Sequence, residues 1–125
     1  VRVADPRIVI GQRGEAAAQE FLERQGYTIL DTNYRCPWGE VDIVASQGDV
    51  LVFVEVRARR GSAMGGPEES VTTTKGRRLI MTAQHYLQSH PGFPDWRIDL
   101  VAVRMDRQGR VLRVSLVENA VTAEG

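Results

Sequence analysis

Apolar residues recur along this chain in two distinct periods, and the switches between them mark out its elements. From Gly11 to Gln25 the apolar positions Ala17, Ala18, Phe21 and Leu22 fall at helical spacing, and Gly26 supplies a C-terminal stop. Tyr27 to Tyr34 then reads as a strand. A second strand runs from about Glu40 to Ala45 and a third from Val50 to about Arg57, separated by the hairpin chemistry of Ser46-Gln47-Gly48-Asp49. The third strand is nearly continuous in apolar residues, which predicts a central position covered on both faces. Gly61 to Pro67 is a loop by composition, and the stretch from Gly61 to Thr73 is expected to be the least ordered internal segment, lying beside the acidic face described below. Thr74 to Ser89 returns to helical period with a stripe of Leu79, Ile80, Ala83, Tyr86 and Leu87, and His90-Pro91-Gly92 ends it. Two further strands, Trp96 to Met105 and Val111 to Val117, complete the pattern. The order is α-β-β-β-α-β-β, which predicts an α/β fold: a mixed five-stranded sheet flanked by helices. Residues 1–10 read as an N-terminal leader, and 11–125 as a single domain.

Composition narrows the possible chemistry. The 125 residues are 42% hydrophobic, in keeping with one core. No apolar run approaches the roughly 20 residues that span a bilayer, and no signal-peptide pattern opens the chain. Cys36 is the single cysteine, so neither a disulfide framework nor a cysteine zinc site is available, and a reducing cytoplasm is the expected compartment. Cys36 itself reads as a small buried hydrophobe. Net charge is zero. Within that zero, 15 of the 16 basic residues are Arg and only Lys75 is Lys, a bias that suits phosphate recognition but that genome composition also produces.

The informative residues are those that break the strand pattern. Asp42 interrupts Val41-Asp42-Ile43-Val44, and Glu55 interrupts the most apolar stretch of the chain, although acids are poor strand formers and costly to bury. With Gln47 and Gly48 as the two turn residues, Asp42 faces Phe53 and Glu55 lies two residues further along the partner strand. Glu40, Asp42, Glu55 and Arg57 then share one side of the sheet, while Val41, Ile43, Val52, Val54 and Val56 take the other. Diagonal neighbours of this kind lie roughly 7–8 Å apart, close enough to share one ion. Such proximity requires compensation by a divalent cation, by a proton shared between the carboxyls, or by Arg57 and its neighbours. A set of oxygen ligands without His or Cys favours Mg²⁺ or Mn²⁺; a salt-bridge network with Arg57 or Arg35 is the structural alternative.

Asp42 followed by Glu55-Val56-Arg57 resembles the PD-(D/E)xK nuclease motif. More closely, the chain resembles the YraN family, a bacterial group of unproven function usually described as candidate endonucleases. The resemblance is carried by Gly11-Gln12-Arg13-Gly14-Glu15, Asn33-Tyr34-Arg35-Cys36, Gly39 to Ala45 and Leu51 to Arg57, with weaker matches at Lys75 to Leu79, Ala83 to Leu87 and Arg97-Ile98-Asp99. The arrangement is also similar to archaeal Holliday-junction resolvases, which carry an extra Glu on the first helix, where Glu15 stands here.

The resemblance implies a restriction-endonuclease-like fold and metal-dependent hydrolysis of phosphodiester bonds in structured or branched nucleic acid, DNA ahead of RNA; symmetric resolvases act as dimers, which makes a homodimer a candidate assembly. It implies Asp42 and Glu55 as metal ligands with the Val56 carbonyl completing the shell, Glu15 and Arg57 as catalytic partners, and Glu40 as an outer acid. The family usually has Lys at position 57; Arg keeps the charge but is larger, planar and not readily deprotonated. Arg35, Arg59, Lys75 and Arg78 are candidate phosphate contacts, Lys75 and Arg78 from a helix N-terminus. Plainer roles stand beside these: helix N-terminal charge compensation for Glu15, a strand-edge salt bridge for Glu40, solvent exposure for Lys75 and Arg78, a partner for Arg97 at Asp99, and surface or capping roles for His85 and His90. The competing function is a nucleic-acid-binding or protein-interaction module that keeps the fold without turnover.

Overall fold

The computed structural model describes residues 5–61 and 71–122. Helix α1 (Pro6–Arg24) is followed by β1 (Thr28–Cys36), β2 (Gly39–Gln47), β3 (Val50–Arg60), helix α2 (Thr73–Ser89), β4 (Asp95–Met105) and β5 (Val111–Val121). The fold is therefore α/β in the order α-β-β-β-α-β-β. The first helix begins within the stretch read as a leader, because Asp5 caps it through the N–H of Arg7 (2.9 Å) and Pro6 occupies the first turn.

The five strands lie in sequence order across one sheet. Neighbours are antiparallel except β3 and β4, which run parallel because the α2 crossover joins them. β3 is central as expected, and Leu51 through Glu55 are all buried. α1 covers one face over Ile43, Ala45, Val52, Val54, Val101 and Val103. α2 covers the other with Leu79, Ala83 and Tyr86 over Val41, Val44, Leu51, Phe53 and Ile98. Thr82, unremarked in the apolar stripe, is buried on the same helix face and donates to the Arg78 carbonyl (2.8 Å).

Two details of register differ from the sequence reading. Gln47 pairs with Val50, so the hairpin turns on Gly48 and Asp49, and Val44 rather than Asp42 stands opposite Phe53. The shift of two residues preserves side-chain alternation and carries Asp42 toward the level of Glu55. Secondly, Val41 packs on the α2 side while Ile43 packs on the α1 side, and Val44 is back on the α2 side. Alternation is kept from Ile43 to Val44 but broken between Val41 and Ile43. The break lies where Asn33 stands across from Asp42 between the pairs Thr32↔Ile43 and Tyr34↔Val41, with a left-handed φ of 53° that Asn tolerates better than most residues.

A candidate acid site where the sheet forks

The β2–β3 ladder runs from Gln47↔Val50 to Ile43↔Val54. Beyond it β2 continues to Gly39 paired with β1, and β3 continues to Arg60 paired with β4. The strands thus part like a fork, with Asp42 and Glu55 at its base. Val56, the first β3 residue past Glu55, gives its freed N–H to Asp42 Oδ2 at 2.7 Å. This bond replaces the strand-to-strand bond that the fork removes.

The two carboxyls adjoin, and each acts on the other's proton affinity at hydrogen-bonding range. Burial, the bond to Glu55 and the nearby charges of Glu55 and Glu15 push Asp42 up to about 8, against the opposing pull of the Val56 N–H. Asp42 therefore holds a proton more tightly than an ordinary carboxyl does. Glu55 is 6% exposed, and Lys75 Nζ, from the first turn of α2, lies 2.6 Å from its Oε2. Among the described residues no hydrogen bond ends on that oxygen, so proximity of charge, rather than a directed bond, relates the two groups. To the compensations open in the sequence the structure adds a lysine ammonium from the opposite helix.

Glu15 and Glu40 approach from the α1 side. Gly14 makes this possible: a Cβ there would stand 2.8 Å from Ala58 Cβ, so α1 lies against β3 with no room for a side chain. The Asn33 amide, with its NH₂ turned toward the acids, donates to Glu15 Oε1 (3.0 Å) and Glu40 Oε1 (3.3 Å). Burial, reinforced by Glu40, raises the Glu15 carboxyl above its usual range. Glu40 also pairs with the exposed Arg35 at 3.4 Å, which realises the strand-edge salt bridge. Glu40 does not simply share a side of the sheet with Glu55, because the break at Asn33 and Asp42 turns β2 between them.

Two clefts meet at Asp42 and Glu40. The first, of about 590 Å³ on the α1 side, is lined by Arg7, Glu15, Asn33, Val56, Arg59 and Arg60 among others. The second, of about 460 Å³ on the α2 side, is lined by Gly39, Glu55, Thr72, Thr74, Lys75 and Arg78, with Leu79. Arg57 is not among the residues lining either cleft, although its sequence position suggested the working cation. The signal for Lys75 in that place was compositional: it is the sole lysine. Asn33 carried no chemical signal beyond its tolerance of a left-handed backbone. Residues 62–70 of the expected mobile loop lie outside the described residues; at its end, Thr72 caps α2 and borders the second cleft.

Among the described residues no group of three His, Cys, Asp or Glu is placed to hold a metal ion. Two adjoining carboxyls do suit a hard cation that keeps several waters, as Mg²⁺ does, and the Glu55 oxygen without a directed hydrogen bond gives such an ion a donor. Elsewhere, Cys36 is half-buried rather than enclosed, because β1 is an edge strand. His85 is bonded to Tyr34 Oη (2.6 Å), and His90 caps α2. Asp99 pairs with Arg97. Among the described residues no helix is long and apolar enough to cross a membrane.

Residues 14–103 match the model of the family described as Uncharacterised protein family UPF0102. The chain belongs to the UPF0102 family. It is 47% identical over 119 residues to a UPF0102 protein of Pelotomaculum thermopropionicum, covering 94% of this chain and 99% of that one. A UPF0102 protein of Moorella thermoacetica is 50% identical over 111 residues, covering 88% and 92%. One of Chloroflexus aurantiacus is 44% identical over 118 residues, covering 93% and 95%. UPF0102 is the group that the YraN resemblance indicated, and its matched stretch contains Glu15, Asp42, Glu55, Lys75 and Asp99.

Proposed function

We propose that this UPF0102 protein is a metal-dependent endonuclease acting on structured or branched nucleic acid, DNA ahead of RNA. One observation carries the reading: a half-buried Asp42 and a buried Glu55, two carboxyls side by side at the fork of the sheet between two open clefts. An acid pair in which burial and like charge favour a proton on Asp42, and which faces open space, is poised to exchange that proton for a cation.

Asp42 and Glu55 would hold Mg²⁺ or Mn²⁺, with the Val56 carbonyl beside them as the family resemblance suggests. A bound ion would supply charge neutralisation at the phosphate and a more acidic water. The chain's own residues do the rest. Val56 N–H fixes the orientation of Asp42. Lys75 places a compact ammonium at the acids, the charge that resemblance would otherwise seek at position 57. Glu15, held by Asn33 and raised in pKa, can accept or hand on a proton at the edge of the α1-side cleft. Arg59 edges the same cleft and Arg78 the other, positions suited to phosphate oxygens; Arg35, paired with Glu40, lies further out.

Cleavage assays on four-way junction, flap, linear duplex and single-stranded substrates, each with Mg²⁺ or Mn²⁺, test the reading. Cleavage that needs the metal and is lost in Asp42→Asn is the expected result. Substitution of Arg for the family lysine favours a second reading, a binding module without turnover. Binding without cleavage by either metal would establish it.

A further inference from the structure

A groove of about 340 Å³ opens on the outer face of α2, lined by Trp38, Met81, Gln84, His85 and Gln88. Its floor is fixed. Gly39 has a φ of 149°, and a Cβ there would lie 3.4 Å from Thr82 Oγ1 and 3.8 Å from Arg78 Cβ, so the tip of the β1–β2 hairpin rests on the helix with Trp38 beside it. The 2.6 Å bond from Tyr34 Oη holds His85. Trp38 is 50% exposed and Met81 38%. The other tryptophan offers a contrast: Trp96 meets Phe53 edge-on with ring centroids 5.9 Å apart, whereas Trp38 stacks on no ring among the described residues.

An exposed tryptophan alone is unremarkable. Here three further features converge on one ligand chemistry. The groove adjoins the acid site, since Gly39 and Arg78, its immediate neighbours, line the cleft of Asp42 and Glu55. Arg78, one helical turn before Met81, is exposed and forms no salt bridge among the described residues. No carboxylate lines the groove, and two carboxamides do. An aromatic face, amide donors and acceptors, and a neighbouring guanidinium match an unpaired base and its phosphate.

We infer that Trp38 and the adjoining face of α2 form a stacking site for an unpaired base, with Arg78 on the flanking phosphate, so that the chain selects nucleic acid carrying a single-stranded segment. The inference rests on the nucleic-acid reading above and specifies its substrate; it does not require turnover.

The test is binding by the full chain in EDTA, which removes cleavage from the readout. In a Trp96→Phe background Trp38 is the sole fluorophore of its kind. Titration with oligothymidylate, oligouridylate and a blunt mixed-sequence duplex reports on its environment, and the first two separate DNA from RNA. Saturable quenching by one or both single strands, with affinity at least about ten-fold above the duplex, is expected. By fluorescence anisotropy of a labelled strand, Trp38→Ala should weaken binding by about ten-fold or more while Trp38→Phe stays within about three-fold, as loss and retention of one base stack require. Arg78→Gln should reduce the slope of log affinity against log salt by about 0.7, one phosphate contact on a single strand. Unchanged Trp38 fluorescence at saturation, equal affinity for duplex, or Trp38→Ala binding like wild type would overturn the stacking site. Metal-dependent cleavage lost in Asp42→Asn would leave the nuclease reading standing in that event. Single-strand binding that depends on Trp38, without cleavage of any substrate, would do the reverse.

Discussion

Two strand aspartates in this molecule are built alike but are surrounded by opposite charges. Asp42 and Asp99 each sit in a strand, each beside a break in a β-ladder, and each takes a backbone N–H freed by that break: Val56 N–H for Asp42 (2.7 Å) and Asn119 N–H for Asp99 (3.0 Å). An Asn with a left-handed backbone stands near each: Asn33 at φ 53°, on β1 across from Asp42, and Asn119 at φ 52°, in the β4–β5 irregularity itself. The difference lies in what else surrounds them. Arg97 Nε donates to both oxygens of Asp99 at 3.1 and 3.0 Å, and the same guanidinium is anchored on Tyr27 Oη and Gln47 Oε1. Burial raises Asp99, with Arg97 and the Asn119 N–H drawing it back. Asp42 meets acids instead, so burial and like charge act in the same direction. A matched buried acid acts as a structural joint. An acid buried against other acids is held in tension and is the better candidate for chemistry.

The comparison breaks most sharply under the same substitution at both places. Asp99→Asn should destabilise the fold by about 3–5 kcal/mol, because Arg97, largely enclosed, loses its counter-charge. Urea denaturation at pH 7 measures it; a loss under about 1 kcal/mol would mean that the pair is not a structural joint.

Asp42→Asn should do the opposite. Asn can keep the Val56 bond and donate to Glu55 without adding a charge. In EDTA at pH 8 the variant should be more stable than wild type by at least about 1.4 kcal/mol, the free energy of a tenfold change in proton affinity. The sign of the pH effect follows from the direction of the shift. Between the ordinary carboxylate range near 4 and about 8, the native state keeps a proton on Asp42 that the unfolded chain has released, so its contribution to stability falls as pH rises through that window. Melting curves of wild type and Asp42→Asn between pH 5 and 8 should diverge, with the variant the flatter. Parallel curves would remove the claim of tension.

Smaller effects sharpen the site itself. Lys75→Met should cost about 1 kcal/mol or less in EDTA, since the ammonium is half exposed, and should tighten Mn²⁺ binding in calorimetry by freeing Glu55. Weaker Mn²⁺ binding would show that Lys75 organises the acids rather than competing for them. Arg57→Lys should have the least effect, changing any cleavage rate by less than about three-fold (under 0.7 kcal/mol in the barrier), because Arg57 lines neither cleft at the acid pair. A large gain would return the working cation to β3.

Much of this was legible in the chain. Element order, the central place of β3, the two helix stripes and the exceptional character of Asp42 and Glu55 all follow from periodicity, and from acids standing where apolar residues belong. Those are local properties, written in intervals of two or between three and four residues, and any chain with that pattern must bury the same faces. Tertiary structure alone decided the rest. The fork that frees the Val56 N–H, the reversal of side chains at Asn33 and Asp42, the reach of Lys75 from α2 to Glu55, and the seat of Gly39, beside Trp38, on Thr82 and Arg78 join residues 14, 20 and about 40 positions apart, or turn on single dihedral angles. Sequence period fixes which face a residue takes only while a ladder is regular. Where the ladder breaks, side-chain direction and charge pairing depend on what the opposite element brings, and here that element is a helix carrying the chain's one lysine.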